Sequence, residues 1–470
     1  MKILIKGAGD LATGIASRLY GAGHRILMTE IAHPLTVRRT VALSRAVYEG
    51  QAIVEEMEAV SAETKEEAEM VMEEGKIAVM VDPKADCRKW YEPDVIVDAI
   101  IAKKNTGTQI TDAPFVIGTG PGFTAGVDCH CVIETKRGHT LGSVIWEGSA
   151  IPDTGVPGNV GGYTTERLIR SSADGMIEPK VEIGDIVEKG QIVAITGKEP
   201  VFAQMGGIVR GMLQPGVYVK KHLKIGDIDA RAERFHCETI SDKARAIGGG
   251  VLEAVGRFEK IKGCYAIVIL AAGKGTRFAG ESGESKLHVQ IDQKPMYMHA
   301  MDKMKAFSSL PLFIVTGDEV IIKEAETRGI FVVRNEEPEK GIAHSVVLGV
   351  KAVSNAFKSE KDRRNSALDG ILFSVCDQPK LEIYTIQKML NDAALHKKNI
   401  ICAGYQGRKG NPVLWPSHCF SELLSLTGDE GGRQILGKYE SKVRIIETKP
   451  EELTDIDSRQ DLENIRNETK

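Results

Sequence analysis

The feature that most constrains the fold of this chain lies past its middle. Tyr265-Ala-Ile-Val-Ile-Leu270 is an unbroken apolar run, and it gives way at once to Ala271-Ala272-Gly273-Lys274-Gly275-Thr276-Arg277, with Lys286 a little further on. A short apolar, β-branched run ended by glycines reads as a buried strand of an α/β sheet feeding a loop. Gly273 and Gly275 let the backbone approach a ligand closely. Backbone N–H groups in such a loop, with the cations Arg277 and Lys286, suit a polyphosphate. A Walker A loop is excluded, because that motif ends in Gly-Lys-Ser/Thr and here Lys274 is followed by Gly275.

Bulk properties narrow the classes. The chain has 470 residues, room for roughly three domains. Charged residues make up 27% and hydrophobic residues 42%, the balance of a globular protein. A net charge of -4 and a pI near 6.3 leave no global basic footprint for nucleic acid. No apolar stretch reaches the roughly 18 residues that suggest a membrane span, and the start lacks the long apolar core of a signal peptide. The 8 cysteines are scattered without a Cys-x-x-Cys pair, so reduced thiols and a cytoplasmic location are expected. Cys129-His130-Cys131 makes a poor metal claw, since neighbours in an extended segment point to opposite faces.

Three sections are expected. Residues 1–110 alternate strands and helices. Ile3-Leu-Ile5 leads into Gly7-Ala-Gly9-Asp-Leu-Ala12, a helix through Tyr20 and a strand from Arg25 to Glu30. Gly7, Gly9 and Ala12 fit the dinucleotide pattern, and Glu30 falls where the ribose-binding acid belongs, so NAD(P) is the ligand this Rossmann-like section would take. The segment from Glu55 to Glu74 reads as an acidic, solvated helix. Residues 111–260 are glycine-rich with short strands, and the stretches from Gly175 and from Gly206 look like two halves of one pattern. Residues 262–470 are α/β again, with strands at Leu312–Thr316, Ile330 to Val333, Gly370–Val375 and Ile400 to Ala403. Lys358 to Arg364 reads as a charged loop, and Glu259 to Lys262 as a linker.

In the third section, chemistry on a triphosphate needs a divalent cation, and Mg²⁺ takes hard oxygen ligands. Asp377 follows an apolar strand, so it sits at the carboxyl end where α/β sheets place ligands. Asp457 is the second candidate ligand, diluted by Asp455 and Asp461, and it could also cap a helix.

Here the motifs resemble a known family. Leu270-Ala271-Ala272-Gly273-x-Gly275-x-Arg277 is similar to the nucleotidyltransferases. Cys376-Asp377-Gln-Pro379 resembles the Asp-x-Pro metal motif of the molybdopterin nucleotidyltransferases. Asn335 and the Gly341 to Ser345 segment resemble their nucleotide-contacting residues. Gly410-Asn-Pro412 resembles their Gly-x-Pro strand, and Gly428-Asp429-Glu-Gly-Gly432-Arg433 their acceptor-side loop, with Gly432 in place of alanine. Asp455-Ile-Asp457 resembles the terminal Asp-x-Asp. The resemblance implies transfer of CMP from CTP to the phosphate of molybdenum cofactor, with Mg²⁺ or Mn²⁺. Arg277 and Lys286 would hold the triphosphate, Leu270 to Gly273, Gly275, Asn335 and Ser345 the nucleotide, and Asp377 and Asp457 the metal. Gly410, Pro412, Gly428, Asp429 and Arg433 would hold the acceptor. Ala272 stands where the guanylyl-transferring relatives carry glycine. An insert, Glu281-Ser-Gly-Glu284, separates Arg277 from Lys286.

The fold implied for the third section is a Rossmann-like nucleotidyltransferase domain of the glycosyltransferase-A type. The middle section resembles the barrel-sandwich fold of biotinyl and lipoyl carriers, but the hairpin that would carry a modifiable lysine reads Ala203-Gln-Met-Gly-Gly207. Gly118-Thr-Gly-Pro-Gly-Phe-Thr-Ala-Gly-Val-Asp128, Glu134-Thr-Lys-Arg-Gly-His139 and the repeats from Gly175 to Asp229 resemble the YqeB-like proteins of selenium-dependent molybdenum hydroxylase systems. The resemblance covers most of residues 1–258 and makes such a hydroxylase the expected protein partner. Alternatives are guanylyl or sugar-phosphate nucleotidyl transfer on the same fold, or a non-catalytic cofactor insertion factor.

Overall fold

The computed structural model describes residues 1–153, 155, 162–262, 265–273, 278, 285–364, 368–429 and 431–468. The chain divides into two compact units, 1–256 and 257–470.

The first unit opens with nine strands in one sheet. In chain order they are β1 (Lys2–Lys6), β2 (Arg25–Glu30), β3 (Gln51–Val54), β4 (Met57–Ala62), β5 (Ile77–Val81), β6 (Val95–Asp98) and β7 (Phe115–Thr119). After β8 (Thr124–Ala125) come β9 (Cys131–Ile133), β10 (Val144–Ile145) and β11 (Gly148–Ser149), with β8 and β11 pairing separately. The spatial order is β10-β9-β7-β6-β1-β2-β5-β4-β3. The inner strands run parallel, and β3 and β10 close the two edges as antiparallel partners. Ile3, Leu4 and Ile5 are fully buried, as expected for a central parallel strand covered on both faces. The chain leaves β1 toward β2 on one side and later adds β6 on the other. The cleft between their carboxyl ends is therefore a topological switch point.

Two sequence expectations change here. The sheet runs on through β7, β9 and β10, so the boundary expected at residue 110 falls inside it. The segment from Glu55 to Glu74 is helical only over Lys65–Glu73, while Met57–Ala62 is a strand. Met57, Ala59 and Ala62 are buried among exposed or half-buried neighbours, and pairing with β5 outweighs the helix-forming glutamates. Thr64 and Glu67 then start the helix with a capping box.

The glycine-rich stretch forms two four-stranded sheets. One is β12 (Leu168–Arg170), β19 (Lys224–Asp229), β17 (Gly207–Met212) and β14 (Ile186–Val187). The other is β16 (Glu199–Phe202), β15 (Ile192–Thr196), β13 (Gly175–Pro179) and β18 (Tyr218–Val219). They enclose one apolar core that includes Ile177, Val193, Val209 and Ile225, the barrel-sandwich arrangement. The turn from β16 to β17 passes between the sheets, with Ala203 and Met205 buried and Gln204 exposed. A helix covers Asp242–Ile261, so most of the segment read as a linker is helical.

The second unit is a seven-stranded sheet in the order β24-β23-β20-β25-β27-β26-β28. Its strands are β20 (Tyr265–Leu270), β23 (Leu312–Thr316), β24 (Phe331–Arg334), β25 (Gly370–Val375), β26 (Ile400–Tyr405), β27 (Arg408–Pro416) and β28 (Val443–Glu447). A small hairpin, β21 (Gln290–Ile291) with β22 (Lys294–Pro295), stands apart. β20 is parallel to both its neighbours, and every side chain from Tyr265 to Ile269 is buried. Only β27 runs against its neighbours. The helix Gly341–Arg364 continues through the segment read as a charged loop, in keeping with the helix propensity of its Lys, Glu and Arg residues. No helix among the described residues is long and apolar enough to cross a membrane.

Candidate active site

Three strand ends of the second unit converge. At the end of β20, the Ala271 N–H donates to the Val315 carbonyl, 2.9 Å, and its own carbonyl accepts from Thr316 Oγ1, 3.0 Å. The loop that follows is thus fixed to β23 at its first residue. Leu270, Ala271, Ala272 and Gly273 form one wall of a cavity of about 390 Å³, whose other walls include Lys286, Ser345 and Asp377. Gly275 and Arg277 lie outside the described residues.

Asp377 follows β25 after the buried Cys376, as the strand-end argument expects. Its loop is held from three directions. The Ile456 N–H donates to the Asp377 carbonyl, 3.0 Å. Gln378 Nε2 donates to Asp455 Oδ1, 2.9 Å. Lys303 Nζ donates to the Pro379 carbonyl. These bonds bring the distant Asp455-Ile456-Asp457 segment beside the strand end. Lys286 Nζ then bridges the carboxylates, 2.6 Å from Asp377 Oδ2 and 2.9 Å from Asp457 Oδ1. Burial by itself would lower the Lys286 pKa, but the charge and hydrogen bond of Asp377, with Asp457, overcome it and hold the ammonium above its ordinary range. Asp455 is pushed up, by burial first and then by repulsion from Asp377.

The bridging ammonium marks a point that two carboxylates reach together. Hard oxygen donors fit Mg²⁺ or Mn²⁺, which commonly bind through one or two carboxylates and complete their shells with phosphate oxygens and water. Among the described residues no group of three or more His, Cys, Asp or Glu side chains gathers as a metal cage.

Asn335 and Ser345 are brought together, but in unequal roles. Asn335 is 1% exposed; its amide donates to Ser345 Oγ, 3.0 Å, and its carbonyl oxygen accepts from the Glu337 N–H, 3.0 Å. Ser345 lines the cavity and Asn335 stands behind it. Asn335 therefore orients Ser345 and the turn before the helix.

A second cavity, of about 580 Å³, adjoins the first through shared wall residues Leu270, Ile342 and Asp429. Gly410, Asp429 and Arg433 line it, whereas Pro412 and Gly428 do not. Gly428 instead accepts a hydrogen bond from the Ala343 N–H, 3.2 Å, which ties Gly428 to the start of the helix. Sequence reading missed Lys409, Phe373 and Trp415 on this wall. A signal existed: Asn411, Val413 and Trp415 alternate along β27 and all face the cavity. The departure at Gly432 also has a cause, because a Cβ there would lie 2.5 Å from the Trp415 indole. In the first unit, Gly7, Gly9, Ala12 and Glu30 line one cavity of about 470 Å³ at the switch point.

The end of β20, a lysine-bridged carboxylate pair and an adjoining second cavity thus lie together in the second unit. Residues 267–443 match the family model of the MobA-like NTP transferase domain. The chain is 49% identical over 253 residues to the uncharacterized protein YqeB of Escherichia coli K12, covering 54% of this chain and 47% of that protein. It is 29% identical over 133 residues to the purine catabolism protein PucB of Bacillus subtilis 168, covering 28% of this chain and 58% of PucB. The chain thus spans about half the length of the curated relatives it matches. Among solved structures, Rv0371c of Mycobacterium tuberculosis H37Rv aligns at 19% identity and a TM-score of 0.35, covering 44% of this chain and 99% of that one.

Proposed function

We propose that the second unit transfers CMP from CTP to the phosphate of molybdenum cofactor, giving the cytosine dinucleotide form of the cofactor and pyrophosphate. The observation that carries this reading is Lys286 held between Asp377 and Asp457 at the mouth of the glycine-loop cavity. An acceptor phosphate oxygen attacks the α-phosphorus in line, the new P–O bond forms, and the bond to the β-phosphate oxygen breaks as pyrophosphate leaves. No enzyme nucleophile takes part. Catalysis consists of positioning and charge neutralisation. Asp377 and Asp457 would hold a divalent cation, which would supply charge neutralisation at the triphosphate. Ser345, oriented by Asn335, lines the nucleotide side, and Lys409 and Arg433 offer cations to an anionic acceptor.

The choice of CTP rests on Ala272, and the choice of acceptor on the loop from Gly428 to Arg433. The product would pass to a molybdenum hydroxylase. The test is purified protein with Mg²⁺, molybdenum cofactor and each nucleoside triphosphate in turn, reading product mass. CTP should be used well ahead of GTP and UTP. Equal or faster turnover with GTP overturns the cytidylyl assignment, and turnover with a sugar phosphate but not with molybdenum cofactor overturns the acceptor.

A further inference from the structure

Gly9 is a glycine that the protein itself does not require. Its φ is -67°, which any residue can adopt, and a Cβ built there meets only Thr36 Oγ1, at 3.6 Å. Gly7 differs: its φ is +95° and a Cβ would lie 3.0 Å from the Ala99 carbonyl oxygen. Gly7 is thus fixed by the fold, whereas at Gly9 the missing side chain leaves open space on the wall of the 470 Å³ cavity at the switch point.

The rest of that cavity has the chemistry of a nucleotide site. Glu30 ends β2, and its carboxylate is already locked in place. Oε2 accepts from the Ala8 N–H, 3.0 Å, and Oε1 from the Ile31 N–H, 2.9 Å. Each oxygen keeps a lone pair for a hydroxyl donor. Ile31 and Leu35, in the loop after β2, and Ile100, after β6, also line the cavity, and they are 42%, 48% and 40% exposed. Large apolar side chains left open around a polar cleft suit a flat base. They offer nothing to satisfy the keto and amide groups of guanine or uracil, so adenine loses least on entry. Asp10, in the first helical turn, opposes a phosphate, but Arg38 Nη1 lies 3.6 Å from its Oδ2. Lys224 adds a cation on the facing wall, although Asp227 stands 3.6 Å from it.

We infer that the first unit binds an adenosine diphosphate group with unphosphorylated ribose hydroxyls, as the adenosine half of a dinucleotide such as NAD. The base lies among Ile31, Leu35 and Ile100, the ribose hydroxyls on Glu30, and the diphosphate against Gly9. Glu30 selects against a ribose 2′-phosphate by charge repulsion.

The test is isothermal titration of the full chain with ADP-ribose, NAD⁺ and NADP⁺. ADP-ribose and NAD⁺ should bind at one site, and NADP⁺ at least about tenfold more weakly. Gly9→Ala should weaken ADP-ribose binding by about tenfold or more while the melting temperature stays within about 3 °C, because no protein atom is crowded. Glu30→Gln should narrow the gap between NAD⁺ and NADP⁺. Asp377→Ala should leave ADP-ribose binding intact, which separates this site from the nucleotide cavity of the second unit. Absence of ADP-ribose binding overturns the inference. So does binding that survives Gly9→Ala in a folded protein, or binding lost with Asp377→Ala.

Discussion

Replacing Gly341 by alanine tests how far the acceptor-side loop depends on one absent side chain. Gly341 sits at φ 81°, ψ -179°, a region essentially reserved for glycine, so alanine there costs about 1–3 kcal/mol of backbone strain. The new Cβ would lie 2.0 Å from Asp429 Oδ1 and 2.7 Å from the Gly428 carbonyl oxygen. Ordinary contact begins near 3.4 Å, so the Asp429 carboxylate must retreat by about 1.4 Å, the difference between 3.4 and 2.0 Å. Its loop is seated by the Ala343 N–H on Gly428, and the same push on Gly428 loosens that seat. Misplacing a group that positions substrate by about 1 Å costs about 100-fold in rate. Gly341→Ala should therefore lower the melting temperature of the second unit by about 3–10 °C and cut turnover by about 100-fold. Thermal scanning and initial rates of pyrophosphate release measure both. Wild-type melting and turnover together would refute the reasoning, since neither the strain nor the displaced carboxylate would then exist.

Three further outcomes are expected. Asp377→Asn keeps the shape of the strand end but removes the charge that Lys286 and a divalent cation share, so turnover should fall by more than about tenfold; near-wild-type rates with Mg²⁺ would remove Asp377 from the metal site. Burial pushes the Lys303 ammonium down to about 8, against the attraction of Glu452 and Glu382. The unfolded chain then binds more protons than the folded one between pH 8 and the ordinary value of 10.5. Stability should rise across that window in the parent relative to Lys303→Met, and parallel pH profiles of denaturant midpoints would contradict this. The barrel-sandwich section should carry no biotin or lipoyl group after expression with active ligases. The turn from β16 to β17 offers the exposed Gln204 rather than an amine, and Lys180, Lys189 and Lys198 are ordinary exposed residues, so an intact mass with either increment would make it a swinging-arm carrier.

Much of the fold was legible because it rests on local signals. Unbroken apolar runs marked β20, β23 and β25, and glycine punctuation marked the paired halves of the barrel-sandwich. Asp377 was visible because a strand's end is a place that sequence can locate. What stayed hidden depended on contacts between distant segments. Nothing near Ala59 announces that β5 will pair with it, so acidic residues suggested a helix there. Nothing near Asn335 announces that its amide will be spent on Ser345. Lys303 reaches its carbonyl across a separation of 76 residues, and only tertiary packing makes that bond. The motif alone does not explain glycine in place of alanine at position 432; Trp415 does, because it fills the space a Cβ would need.

The reversed course of β27 separates two tasks that one sheet edge must perform. β25 delivers Asp377 at its finish, whereas β27, running the other way, delivers Lys409, Gly410 and Asn411 at its start. Those three follow directly on the tight turn from β26. If the proposed function holds, residues in that hairpin can vary, and so change what is accepted, without touching the carboxylate pair. Descendants of such a scaffold would then diversify their acceptors while inheriting the same strand-end carboxylates.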